Sequence, residues 1–188
     1  AGDCPFTAAP PEIDAQLDKA ETAYSALEVD TFGEAMDEVA IMVPCVDAVL
    51  PTPVAARLHR VKGIAYFGAG EKGLAIEALT AAKGLDSAYA FPAELLPGDH
   101  PVAQLYGDAR VGGSEEVDAP QTGMIAFDGV LGLERPMLRA TVAQLIGPDG
   151  KPARTAYLHV GDPMPAYDAV VQLEPTPKPE PEPVEPVA

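Results

Sequence analysis

The sequence predicts an α+β protein: an N-terminal α-helical hairpin domain, a small antiparallel β-module and an extended Pro/Glu-rich tail. Three observations carry this prediction. Between residues 12 and 83 apolar side chains recur at three- and four-residue steps, the period of helices with one buried face. After residue 122 the pattern changes to short apolar runs punctuated by Asp128-Gly129 and by Gly147-Pro148-Asp149-Gly150, which are turn signals. Residues 174–188 then place proline at near-alternate positions among glutamates. That spacing excludes helix, because each proline lacks an N–H and restricts the residue before it.

Residues 1–11 read as an extended lead ending in Pro10-Pro11, and residues 12–111 as the helical domain. The first helix starts near Glu12, with Ile13, Leu17, Ala20, Tyr24 and Leu27 on one face. Asp30-Thr31, with Glu34 three residues on, has capping-box spacing for a second helix through Phe32, Ala35, Met36, Val39 and Val43 to Pro44. A third helix opens with Pro53 in its first turn and runs through Leu58, Val61, Ala65 and Tyr66 to Gly68 or Gly70. A fourth spans about residues 71–83, with Gly84 placed as its C-cap. A short helix near residues 100–110 follows, with Asp99 as N-cap. Residues 112–121 read as a linker. The β-module, 122–173, takes strands at Met124-Ile125-Ala126-Phe127, at 140–146, at 153–160 and at 168–173.

Composition narrows the partners. Of 188 residues, 12 are Lys or Arg and 29 are Asp or Glu, a formal net charge of −17. Such a surface repels nucleic acid and anionic lipid and suits a secreted or high-salt setting. Divalent-cation bridging between copies is the alternative use of that charge. No apolar run is long enough to span a membrane, so no membrane insertion is expected. The absence of asparagine excludes N-linked sugar. The start at Ala1-Gly2-Asp3-Cys4, without an initiator methionine, fits a processed terminus, a trimmed boundary being the alternative. Cys4 and Cys45 are the two cysteines, and an even pair in a chain that looks exported favours a disulfide over two buried thiols. It would staple the lead to the helices.

The second helical hairpin carries the spacing Gly63-x-Ala65-Tyr66-x-x-x-Gly70-x-x-x-x-Ala75-x-x-x-Leu79-x-x-Ala82, which resembles a tetratricopeptide repeat. In that family small residues let the two helices approach closely while the tyrosine and a large apolar residue fill the hairpin. The first hairpin is less similar. Tyr24 takes the place of Tyr66, and Ala35, Val39 and Met42 follow after a loop about two residues longer. The resemblance spans about residues 13–87 and implies a scaffold that binds a protein client or a neighbouring chain. Over about 122–167 the frame G-M-I-A-F-D-G, R-P, D-G-K-P and A-Y-L-H-V-G resembles small extracellular PEGA-like β-modules.

No reaction is legible. His59, His100 and His159 lie far apart, and bringing His59 to His159 requires the helical domain and the β-module to fold onto one another. Paired carboxylates such as Asp37-Glu38 and Glu115-Glu116 arise by chance in so acidic a chain. Phe67-Gly68-Ala69-Gly70 follows a helix rather than a strand, which is the wrong context for a dinucleotide loop. The expectation is therefore a non-enzymatic chain with no cofactor and no metal. The tail is its interaction element: Val170, Val171 and Leu173 end the last strand, and Pro175, Pro177, Pro179, Pro181 and Pro183 follow. With Val184, Pro186 and Val187 they would dock on another copy of the chain, giving a homo-oligomer or an extracellular filament. The alternative is a monomeric periplasmic or envelope adaptor with the tail as a spacer.

Overall fold

The computed structural model describes residues 4–170, and the architecture is α+β. Five helices, α1 (Pro10–Ser25), α2 (Val29–Met42), α3 (Thr52–Gly68), α4 (Lys72–Leu85) and α5 (Pro101–Asp108), come first. Six strands follow: β1 (Ser114–Glu116), β2 (Met124–Phe127), β3 (Val130–Leu131), β4 (Glu134–Pro136), β5 (Thr141–Ile146) and β6 (Pro152–Leu158). They form a four-stranded antiparallel sheet in the order β3-β2-β5-β6 and a two-stranded β1-β4 ladder. Strand β1 lies inside the stretch read as a linker. Among the described residues no helix is long and apolar enough to cross a membrane.

At the helix ends the structure departs from the local sequence signals. α1 begins at Pro10, two residues early, because prolines at its first two positions have the helical φ built in. Both helical hairpins turn through the same three-residue Schellman loop. After α3, Gly70 N–H donates to Phe67 O and Glu71 N–H to Tyr66 O, with Gly70 at φ 82°. After α1, Leu27 N–H donates to Tyr24 O and Glu28 N–H to Ala23 O, with Leu27 at φ 60°. The first loop is thus no longer than the second. Leucine hides the turn, α2 starts at Val29, and the Thr31–Glu34 spacing falls inside the helix. Leu27 leaves the apolar face and is 85% exposed. Gly84 likewise sits inside α4, whose next residue, Leu85, packs on the core, so the C-cap is Asp86. α5 is capped by the His100 imidazole, which accepts from the Val102 N–H, and Asp99 supplies only a carbonyl, to Gln104.

Three apolar clusters hold the chain. The first joins Ile13, Leu17, Val39, Leu50, Leu58 and Val61 of the helical half to Val142 of β5. The second packs Ile64 and Leu79 against Leu96, Val102 and Tyr106. The third, with Ile125, Phe127, Ala143, Leu145 and Leu158, lies on the opposite face of the sheet under Leu133, Met164 and Tyr167. Val142 and Ala143 therefore face opposite ways, as strand alternation requires, and the sheet is covered on both sides.

The Cys4–Cys45 disulfide is formed, with its Cα atoms 5.5 Å apart. It ties the lead to the short 3-10 turn Val43–Cys45, and Ala8 bridges Val46 beside it. At the other end, the described part of the 168–173 strand is a single bridge, Pro120 to Ala169.

Candidate functional site

The polar groups concentrate along the seam between the helices and the sheet, and the β2–β3 turn is its centre. Asp128 (φ 52°) and Gly129 (φ 84°) both take the left-handed region, as a two-residue type I′ hairpin turn requires. The turn is pressed onto the start of α3. Thr52 Oγ1 donates to Asp128 O at 2.9 Å, and a Cβ at Gly129 would lie 2.8 Å from Thr52 N.

The Asp128 side chain is 1% exposed and accepts four hydrogen bonds. Oδ1 takes His59 Nε2 at 2.8 Å and the Val142 N–H at 2.8 Å. Oδ2 takes Thr141 Oγ1 at 2.9 Å and an Arg139 N–H at 3.2 Å. Burial alone would raise the Asp128 carboxyl. The attraction and hydrogen bond of His59, with Arg139 and the Val142 N–H, outweigh it and hold the group below the usual carboxylate range. His59 is wholly buried, and Tyr157 Oη at 2.9 Å completes its Nδ1. Neither ring nitrogen is left to meet a substrate.

From Tyr157 the network continues outward. Its ring sits 5.2 Å from that of His59 and 5.4 Å from that of His159. Tyr66 Oη meets His159 Nε2 at 3.1 Å, and Glu77 Oε2 meets His159 Nδ1 at 3.2 Å and accepts from Val160 N–H at 3.0 Å. The Lys62 ammonium lies 4.4 Å from the Tyr157 ring centre and 3.3 Å from Tyr66 Oη, and burial lowers its pKa. Burial, first, then the charges of Glu77 and Asp162 raise the Tyr66 hydroxyl. Burial pushes the Tyr157 hydroxyl well above its ordinary value. A second clasp lies on β5. The buried Gln144 accepts from Leu50 N–H at 2.7 Å and donates to Ala48 O and Thr155 Oγ1, both at 3.2 Å. This arrangement locks two halves together; it offers a ligand no open donor set. Among the described residues no group of three or more His, Cys, Asp or Glu could hold a metal ion.

The residues singled out in the sequence fall in three places. Gly63, Ala75, Leu79 and Ala82 are buried between α3 and α4, where a Cβ on Gly63 would come 2.6 Å from Leu79 Cδ2. Ala65 is half-buried, Tyr66 has joined the seam, and Gly70 is the turn. Cys4 and Cys45 line a groove of about 700 Å³ between the stapled lead and the start of β6. Val170 is 47% exposed and donates its N–H to Ala119 O. Val171, Leu173, Pro175, Pro177, Pro179, Pro181, Pro183, Val184, Pro186 and Val187 lie outside the described residues. The residues that sequence reasoning missed are Asp128, Arg139, Thr141 and Gln144. The Asp-Gly signal located the turn but not its burial. His59 and His159 are brought to one aromatic row by Tyr157, the juxtaposition that needed the two halves to meet.

No protein-family model, no curated protein and no solved structure matches this chain.

Proposed function

We propose that this chain is a non-enzymatic, secreted structural protein whose copies join head-to-tail into an extracellular filament, the C-terminal tail of one docking on the next. The observation that carries this reading is the pair of unpaired edges on the four-stranded sheet. β3 presents Val130 and Leu131 at 59% and 54% exposure, and among the described residues β6 has a strand partner only in β5. Open edges recruit extended segments, and the chain continues past Val170 into an apolar and then alternate-proline segment. The disulfide supports an oxidising compartment. The close approach of Gly63 to Leu79 and the shared hairpin turn support tetratricopeptide-like packing of the helices. The seam occupies the part of α3 and α4 that carries Lys62, Tyr66 and Glu77, which leaves less of the helical surface for a client.

Light scattering and negative-stain imaging of the oxidised full chain, beside a chain ending at Leu173, test this. The full chain should form large particles and the shortened one should stay near the mass of a single copy, 19.5 kDa for the whole chain. Two monomers would overturn assembly and favour the adaptor.

A further inference from the structure

The groove beside β6 has a shape and chemistry that the seam does not use. One wall is the stapled lead with Pro5 and Thr7, the other is the first half of β6, and Ile41 and Pro44 contribute apolar surface. β6 is an outer strand. Among the described residues no hydrogen bond from an element other than β5 reaches the backbone of residues 153–157. An antiparallel strand sends alternate N–H and C=O groups outward, so β6 has backbone groups free for pairing on its outer side, with the Val43–Cys45 turn packed close to the strand. Two cations, Lys151 and Arg154, stand on the groove and enter no ion pair among the described residues. Asp47 and Asp149 also line it, and the Asp149 carboxylate already accepts from the Lys151 N–H.

We propose that this groove is the receptor for residues 171–188 of a second copy, which add alongside β6 as an extended strand. The proposal rests on the assembly reading above and names its socket. The pattern of the segment is the first argument. In an extended strand, residues two apart turn their backbone groups to the same side. Pro175, Pro177, Pro179, Pro181 and Pro183 therefore all lie on one side, which has no N–H to offer. Thr176, Lys178, Glu180, Glu182 and Val184 keep their donors on the other side, a run that ends at Pro186. Such a segment is single-sided: it can pair with one open edge and presents no second edge to a further strand. Charge is the second argument. Glu174, Glu180, Glu182 and Glu185 against Lys178 give the segment an acidic balance, and Lys151 and Arg154, which stand beside Asp47 and Asp149, are the cations in the groove that can meet it. Length is the third. Eighteen residues follow Val170, enough to reach roughly 60 Å when extended, against about 23 Å for a strand of the length of β6.

Photo-cross-linking on the full chain tests this. Equal amounts of ¹⁴N and ¹⁵N protein are mixed, each carrying a benzophenone-bearing phenylalanine analogue in place of Val184, and adducts are mapped by mass spectrometry. The expected result is light-to-heavy adducts at Thr7, Ile41 or residues 151–155, with a yield that falls about tenfold in Arg154→Glu. Light-to-heavy adducts on β3 or on the helices, with particles intact, would overturn the socket and leave assembly standing. Groove adducts confined within single copies, in a monomeric sample, would overturn assembly itself. Particles with no adduct in the groove also overturn the socket.

Discussion

The two helical hairpins make the same turn with different means. The α3–α4 hairpin uses Gly70 for the left-handed position and Gly63 to admit Leu79. The α1–α2 hairpin places Leu27 in the same left-handed position and packs Tyr24 against Phe32 beside the turn, ring centres 5.5 Å apart. Their anchoring differs as well. The second hairpin is held to the sheet by the Glu77–His159 and Tyr66–His159 contacts. The first is held by the disulfide just past its end and by Arg57 of α3. Arg57 meets Asp14, Asp18 and Glu21 along one face of α1, the closest being Glu21 Oε2 at 2.5 Å. Burial works against the Arg57 charge, but the hydrogen bonds it donates to these carboxylates outweigh it and raise its pKa. One backbone solution thus serves two sequences, provided each end is fastened by something else.

Breaking the fastenings in turn separates the hairpins. The largest effect belongs to Asp128→Ala, which strands the buried His59 and Arg139 without their partner and should cost about 3–5 kcal/mol in urea unfolding. Protection from hydrogen exchange should fall at both hairpins, since β5 touches the core of the first. Next, Cys45→Ser should cost about 2–4 kcal/mol, with lost protection confined to the lead, α1 and α2. Gly63→Val forces a branched side chain into Leu79 and should cost about 1–3 kcal/mol, read at α3 and α4 while α1 and α2 stay protected. The smallest change runs the other way. Leu27→Gly relieves a left-handed leucine that contacts little, and should stabilise the chain by up to about 1 kcal/mol; Gly70→Leu should destabilise by a similar amount.

Acid sharpens the same comparison. The folded Asp128 carboxyl titrates below its unfolded value, so its contribution is complete above the unfolded value of about 3.9. It is lost as pH falls from there through the lower folded value. A stability profile from pH 6 downward should therefore drop more steeply in the parent than in Asp128→Asn, with the difference confined to below about pH 4.

The sequence carried the fold class well because its signals were local. Apolar spacing located α1 to α4, Asp128-Gly129 and Gly147–Lys151 marked real hairpins, and the cysteines paired. What it hid was of two kinds. Leu27 performs a glycine's task, so no residue type announced the first turn. The seam is made of residues whose importance depends on neighbours nearly a hundred positions away, such as Gln144 to Leu50, 94 apart, and Tyr157 to His59, 98 apart. A buried Asp in an Asp-Gly turn, and a Gln in the middle of an apolar strand, were the signals present. Both read as ordinary turn or surface residues until the opposing half is in view.

Those separations also fix an order of events during synthesis. The helices and their disulfide partners leave the ribosome well before Thr141 and Tyr157 do, and domains fold broadly as they emerge. Until β5 and β6 arrive, Leu50 N–H, Ala48 O and His59 Nδ1 have no partner from the sheet. The helical half must therefore wait, incompletely closed, with Val39, Leu50 and Leu58 near an uncovered surface that Val142 and Tyr157 will seal. A pause or truncation between α5 and β5 would leave that surface for a chaperone to cover, and the nascent chain's need for one should end when Leu158 clears the exit tunnel.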